Sequence, residues 1–116
     1  MAQTFTRDKL SGSTNGRAIK VVATATAGTT IHTAVSGTSS FDEVYLEAYN
    51  GHTADVTLTI EWGAATVPDD NIIQTIPFKA GTFFVARGLI NNSLVIRAFA
   101  SVASVITIKG WVNKIV

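Results

Sequence analysis

Val56, Leu58, Ile60 and Trp62 alternate without a break with Thr57, Thr59 and Glu61, and a period of two marks a β-strand with one dry face and one wet face. The same pattern continues along the chain from Arg17 onward. Short runs rich in Val, Ile, Thr and Ala are separated by Gly, Asn, Asp and Pro, and no stretch keeps apolar residues at helical spacing over three turns. Strands are predicted over residues 17–26, 29–34, 42–50, 55–62, 71–77, 82–87, 93–100 and 104–115. A single open sheet this apolar would leave one face uncovered. The expected fold is therefore all-β, an antiparallel β-sandwich of about eight strands, with jelly-roll connectivity as one option.

Breaks between the runs carry local information. Asn50-Gly51 sits between two predicted strands and is the dipeptide that best accepts a tight hairpin, so 42–50 and 55–62 are expected to pair antiparallel. Pro68 with Asp69 and Asp70 interrupts the next stretch, and Pro77 ends a strand because it cannot donate to a ladder. Gly110 interrupts the last strand, where a bulge would decide which of Trp111 and Val112 faces inward. The alternation alone leaves that phase open.

Residues 1–16 read differently from the rest. They are polar, and Ser11 to Gly16 combines Gly, Ser and Asn, which resist regular structure. Phe5 and Leu10 are the only large apolar side chains of this segment beyond Met1. It is expected to form an N-terminal arm on a sandwich domain of residues 17–116, with Phe5, Arg7, Lys9 and Leu10 available to reach a neighbouring surface. A frayed terminus is the alternative.

Alternation also predicts what faces outward. With Val44, Leu46 and Ala48 inside, Tyr45 and Tyr49 point away from the core beside Glu47; with Leu94, Ile96 and Ala98 inside, Val95 and Phe99 lie outside beside Arg97. Phe83 and Phe84 cannot both face one core. This is more apolar surface than one sandwich hides, and such patches mark protein contacts unless an arm or loop covers them. The candidate interface residues are thus Tyr45, Tyr49, Val95 and Phe99 together with those of the arm, and a homo-oligomer, preferentially a trimer, is expected.

The parts that chemistry needs are few. At 116 residues the chain fits one domain. With 47% hydrophobic and 15% charged residues it lacks the low hydrophobicity and high charge of a disordered chain. A net charge of +1 with scattered Lys and Arg offers no basic stripe for nucleic acid. The N-terminus lacks a signal-peptide apolar stretch and no run of about 18 apolar residues occurs, so no membrane partner is expected. There is no cysteine, no G-x-S-x-G serine and no H-E-x-x-H pattern. His52 reads as a loop residue and His32 as a strand-surface residue. Glu61 and Glu47 lie on wet strand faces, an ordinary place for charge rather than a glycosidase pair. Asp69, Asp70 and Asn71 supply oxygens without the alternating spacing of a calcium loop, and they suit turn chemistry. Trp62 and Trp111 read as core residues, with a sugar-stacking platform as the alternative. No enzyme activity, cofactor or metal is expected.

The arm, the segment Leu58 to Pro77 (LTIEWGAATVPDDNIIQTIP) and the segment Val95 to Ile115 (VIRAFASVASVITIKGWVNKI) resemble small virion proteins encoded near the major capsid gene of tailed bacteriophages. The pattern is IEWG, then PDD, then Gly88-Leu89, then RAFA, with a G-x-V-N-[KR]-I tail, and it spans most of the chain. The resemblance implies a head decoration or cement protein, or less often a neck or tail component. Such a protein has a β-sandwich body, no cofactor, frequent trimers and an extended terminus reaching across capsid subunits. Its partner would be the major capsid protein or another virion protein, and its location the virion capsid after synthesis in the host cytoplasm. The competing class is a carbohydrate- or receptor-binding module of a tail or fibre, which predicts an exposed Trp62 or Trp111 beside a concave polar groove.

Overall fold

The computed structural model describes residues 3–116. It contains nine strands: β1 (Phe5–Asp8), β2 (Ile19–Lys20), β3 (Thr29–Thr33), β4 (Phe41–Asn50), β5 (Val56–Gly63), β6 (Asn71–Ile76), β7 (Phe83–Ile90), β8 (Val95–Ala100) and β9 (Ile106–Ile115). One sheet runs β1-β9-β4-β7 with β2 also on β9, and the other runs β3-β8-β5-β6. They are called sheet A and sheet B below. All pairings are antiparallel, and they nest: β5 pairs with β6, β4 with β7, β3 with β8 and β2 with β9. From β2 onward only the β5–β6 connection stays within one sheet. This is a long hairpin rolled into two sheets, the jelly-roll connectivity.

The eight predicted runs correspond to β2 through β9, the first of them shortened to Ile19–Lys20. The inward sets Val44, Leu46, Ala48 and Val56, Leu58, Ile60 are all 1% exposed or less and meet between the sheets with Ile96, Ala98 and Ile108. Leu94 departs from expectation and is 44% exposed, because Asn92 and Ser93 adopt positive φ just before it and turn the chain before β8 begins.

The expected hairpin between residues 42–50 and 55–62 does not form. β4 lies in sheet A and β5 in sheet B. Asn50 is fully buried, and its side-chain amide donates to the carbonyls of Ala54 (3.0 Å) and Ile76 (2.9 Å) while its side-chain oxygen accepts the His52 N–H (2.8 Å). The same Asn-Gly dipeptide thus makes a corner that carries the chain from one sheet to the other.

The N-terminal segment is part of the body rather than a free arm; its Met1 and Ala2 lie outside the described residues. β1 pairs with Val112 to Ile115 of β9, and β2 pairs with Thr107 and Ile108 farther along the same strand. Together they form one interrupted edge strand, and residues 9–18 make an excursion between its halves. Leu10 enters the core at 2% exposure, so it is not a contact residue. Gly12 N–H donates to the Ile31 carbonyl (3.0 Å), and Ser11 Oγ accepts the Thr33 N–H (2.7 Å), so the start of the Ser11 to Gly16 stretch is tied to β3. A Cβ on Gly12 would stand 2.6 Å from the carbonyl oxygens of both Thr30 and Ile31, which explains the glycine.

The β4–β9 register runs unbroken from Phe41↔Ile115 to Asn50↔Ile106. No bulge forms at Gly110, so Val112 is buried and Trp111 points outward. A Cβ at Gly110 would run into the carbonyl oxygen of Tyr45. The break in the pattern marks a close approach of two backbones.

Candidate functional site: the outer face of sheet A

The register of sheet A sets out its outer face row by row. Phe5, Ile115 and Phe41 lie across one end; next come Asn113, Glu43 and Leu89 with Arg7; then Trp111, Tyr45 and Arg87; then Lys109, Glu47 and Phe84; and finally Thr107 and Tyr49. Phe84 belongs to this face because the β4–β7 register shifts between Leu46 and Glu47, opposite Ala86 and Phe84. Phe83 packs against the core, so the two adjacent phenylalanines do face opposite ways.

A ladder of rings crosses the middle of this face. Trp111 and Tyr45 stack with centroids 5.3 Å apart and planes 8° from parallel, and Phe84 tilts against Tyr45 at 5.5 Å. The Arg7 guanidinium lies over the Trp111 ring, 4.7 Å from its centroid. Arg7 comes from β1 and Tyr45 from β4, the two strands flanking β9, so the indole is sandwiched between them. Stacked and cation–π contacts of this kind add to simple burial and fix the ring orientation. Lys109 Nζ approaches Glu47 at 3.6 Å beside the ladder. Around these ordered rings Phe5 (62%), Leu89 (60%) and Phe84 (53%) remain exposed. Lys9 follows at the sheet corner, where its N–H donates to the Asp8 carboxylate at 2.7 Å. That hydrogen bond, with the Lys9 and Lys114 charges, holds the Asp8 carboxyl below its usual range.

The predicted contact residues therefore divide. Phe5, Arg7, Tyr45 and Tyr49 share the outer face of sheet A. Val95 and Phe99 lie half-buried on sheet B, on the opposite side of the sandwich, where Phe99 faces Thr59 across the β5–β8 ladder. Trp111, Phe84, Arg87 and Leu89 were not singled out as contact residues from sequence. An unbroken period of two through Gly110 would have placed Trp111, while the shift opposite Phe84 has no sequence signal. Trp62 is partly buried against the core, its ring close to Gly88.

Two buried polar clusters were also misread. Glu61 points away from the core as expected, yet it is 3% exposed. The loop before β3 covers it, with the Thr26 hydroxyl and the Gly28 N–H (2.7 Å) both donating to its carboxylate. His32 is buried rather than on the surface. Its Nδ1 accepts the Ser11 N–H (3.0 Å), so Nε2 carries the proton and donates to Asp42 Oδ2 (2.8 Å), which also accepts the Val35 N–H (3.1 Å). The trio of Ser11, His32 and Asp42 has the composition of a hydrolase triad but not its arrangement. The ring nitrogen that would act as base is occupied by the Ser11 backbone amide rather than facing the Ser11 hydroxyl, which is bonded to the Thr33 N–H. The trio joins the N-terminal segment to both sheets. Asp70 accepts the Thr66 N–H (3.0 Å) in a turn, the ordinary role for its loop.

Comparison with protein-family models, curated proteins and solved structures finds no match for this chain.

Proposed function

We propose that the chain is a structural virion protein of a tailed bacteriophage, a decoration or cement protein that binds across capsid subunits through the outer face of sheet A. The observation carrying this reading is that face itself. Tyr, Trp, Phe and Arg are the residues enriched at protein interfaces, where rigid rings contribute area at small entropic cost. Here they form an ordered ladder, Trp111, Tyr45 and exposed Phe84, bordered by exposed Phe5 and Leu89. Jelly rolls serve in viral capsids and also in lectins and cupins, so the fold agrees with the reading without selecting it. The resemblance of the sequence to small virion proteins selects among those uses.

A sugar platform needs an aromatic face open to the ligand. Trp111 is flanked by Arg7 and Tyr45, and Trp62 leans on the core, so the carbohydrate-binding alternative has less support. The test is attachment of the purified protein to particles that lack it, followed by co-sedimentation. Phe84→Lys with Leu89→Lys, which sets each new charge opposite a glutamate, Glu47 and Glu43, should abolish attachment while the protein still unfolds in one cooperative thermal transition. Equal attachment of this double variant would remove sheet A from the interface, and absence of the protein from intact particles would end the virion reading.

A further inference from the structure

Of the four sheet edges, three are closed to further strand pairing by features of the chain. The edge at β1 is short and carries Arg7 and Asp8. The edge at β3 has an irregular register at Ile31 and is covered by Ser11 and Gly12, which bond to Thr33 N–H and the Ile31 carbonyl. The edge at β7 shifts register near Val85 and carries Arg87. Charges, bulges and covering segments are the usual protection of sheet edges.

Among the described residues, the fourth edge, β6, has none of these beyond its first residue, Asn71, where the preceding turn reaches the edge with the Pro68 carbonyl. Asn71–Ile76 reads NIIQTI, without charge, Pro or Gly, and its register with β5 is unbroken. Ile73 is 64% exposed on it. Such a segment on an open edge is a template for another strand.

The ladder also defines which groups are free. Trp62 N–H donates to the Asp70 carbonyl at 2.8 Å, one step beyond the Glu61↔Asn71 pair. Bonded and non-bonded pairs alternate in an antiparallel ladder. The bonded pairs are therefore Ile60↔Ile72, Leu58↔Gln74 and Val56↔Ile76, and the backbone groups of Ile73 and Thr75 point away from β5. The Asn71 carbonyl does likewise, while its N–H donates to the Pro68 carbonyl at 3.2 Å.

We propose that β6 is a self-association edge, pairing antiparallel with β6 of a second copy about a two-fold axis at Ile73. In that register Ile73 N–H bonds the Ile73 carbonyl of the other copy in both directions. Thr75 N–H of each copy bonds the Asn71 carbonyl of the other, and the two exposed Ile73 side chains become neighbours. A second copy is the occupant because the free Ile73 and Thr75 N–H groups of one edge meet the free Ile73 and Asn71 carbonyls of the other under a two-fold, with only the Thr75 carbonyls left to solvent, and no like charges meet. Sheet B then continues through both molecules. The result is a dimer through sheet B, in place of the trimer expected from sequence, and it leaves sheet A free.

Sedimentation velocity of the full chain over a concentration series, with amide hydrogen exchange at each end of the series, tests this. A concentration-dependent dimer is expected, with the Ile73 and Thr75 amides slowed in the dimer and fast on dilution. Ile73→Lys should be monomeric. Thr75→Pro should be monomeric too, since it removes only an outward N–H and leaves the β5 ladder complete. Ile73→Val should keep the dimer. A chain that is monomeric throughout, a dimer that survives both disrupting variants, or an oligomer without slowed exchange at Ile73 would each overturn the proposal. If Ile73→Lys fails to fold, Thr75→Pro and the exchange of the unaltered chain decide.

Discussion

Replacing Asp42 by Ala tests whether the buried cluster at the N-terminal segment holds the two sheets together. The substitution leaves two donors without an acceptor: His32 Nε2–H, which is buried, and the partly buried Val35 N–H. An unpaired buried donor costs about 1–3 kcal/mol. Two of them would cost about 2–6 kcal/mol, but removing the carboxylate also relieves Asp42 Oδ1, which is buried without a partner. A net loss of about 2–4 kcal/mol is expected, a large part of the roughly 5–15 kcal/mol that stabilises a domain. At about 4 °C per kcal/mol, the thermal midpoint should fall by roughly 8–16 °C. Asp42→Asn keeps one acceptor for both donors but loses the charge assistance and buries an amide NH2 where Oδ1 stands without a partner, so it should cost about 1–2 kcal/mol, less than Asp42→Ala. Urea unfolding of the full chain followed by tryptophan fluorescence measures all three proteins. A loss under about 0.5 kcal/mol for Asp42→Ala, or equal losses for Ala and Asn, would refute the reasoning.

Leu10→Ala should cost about 2–5 kcal/mol as a core truncation, whereas deleting residues 2–8 should cost far less because β1 is exposed; denaturant midpoints separate the two. Gly110→Ala should destabilise by at least about 2 kcal/mol, since the new Cβ meets backbone rather than a movable side chain, and a near-neutral midpoint would contradict the register of β4 and β9. Glu61→Ala should cost about 1–3 kcal/mol and release the loop ahead of β3, read as new proteolytic cleavage between residues 22 and 28.

Much of the fold was legible because alternation is a local property. The runs that became β4, β5 and β8 show their inward residues directly in the sequence, and the outward direction of Tyr45 and Tyr49 follows from the same count, whereas Phe84 is turned outward by a register shift that the count does not contain. What alternation does not say is which strand lies beside which. Asn50-Gly51 has the same local chemistry whether it closes a hairpin or turns a corner, and the choice was made by the distant carbonyl of Ile76. Glu61 was placed on the correct face, but whether a face is wet depends on a loop that only the tertiary structure brings there. The N-terminal segment was misread for a related reason. Its one aliphatic anchor, Leu10, and the backbone bonds of Ser11 and Gly12 become informative only when β3 lies alongside.

The nested pairing has a consequence for the order in which this chain folds. Loop-closure entropy grows with the length of chain enclosed, so β5 and β6, joined by the short stretch between Gly63 and Asn71, close at least cost. Once formed, that hairpin shortens the effective loop for β4 with β7, and each closure does the same for the next pair outward. The last and most distant closure brings β1 and β2 to β9. Topologies dominated by such distant contacts fold slowly. Substitutions at β5 and β6 should therefore slow refolding, and those at β1 should mainly speed unfolding. The strand with the open edge would then be among the first to form, presenting its unpaired side while the rest of the molecule is still assembling.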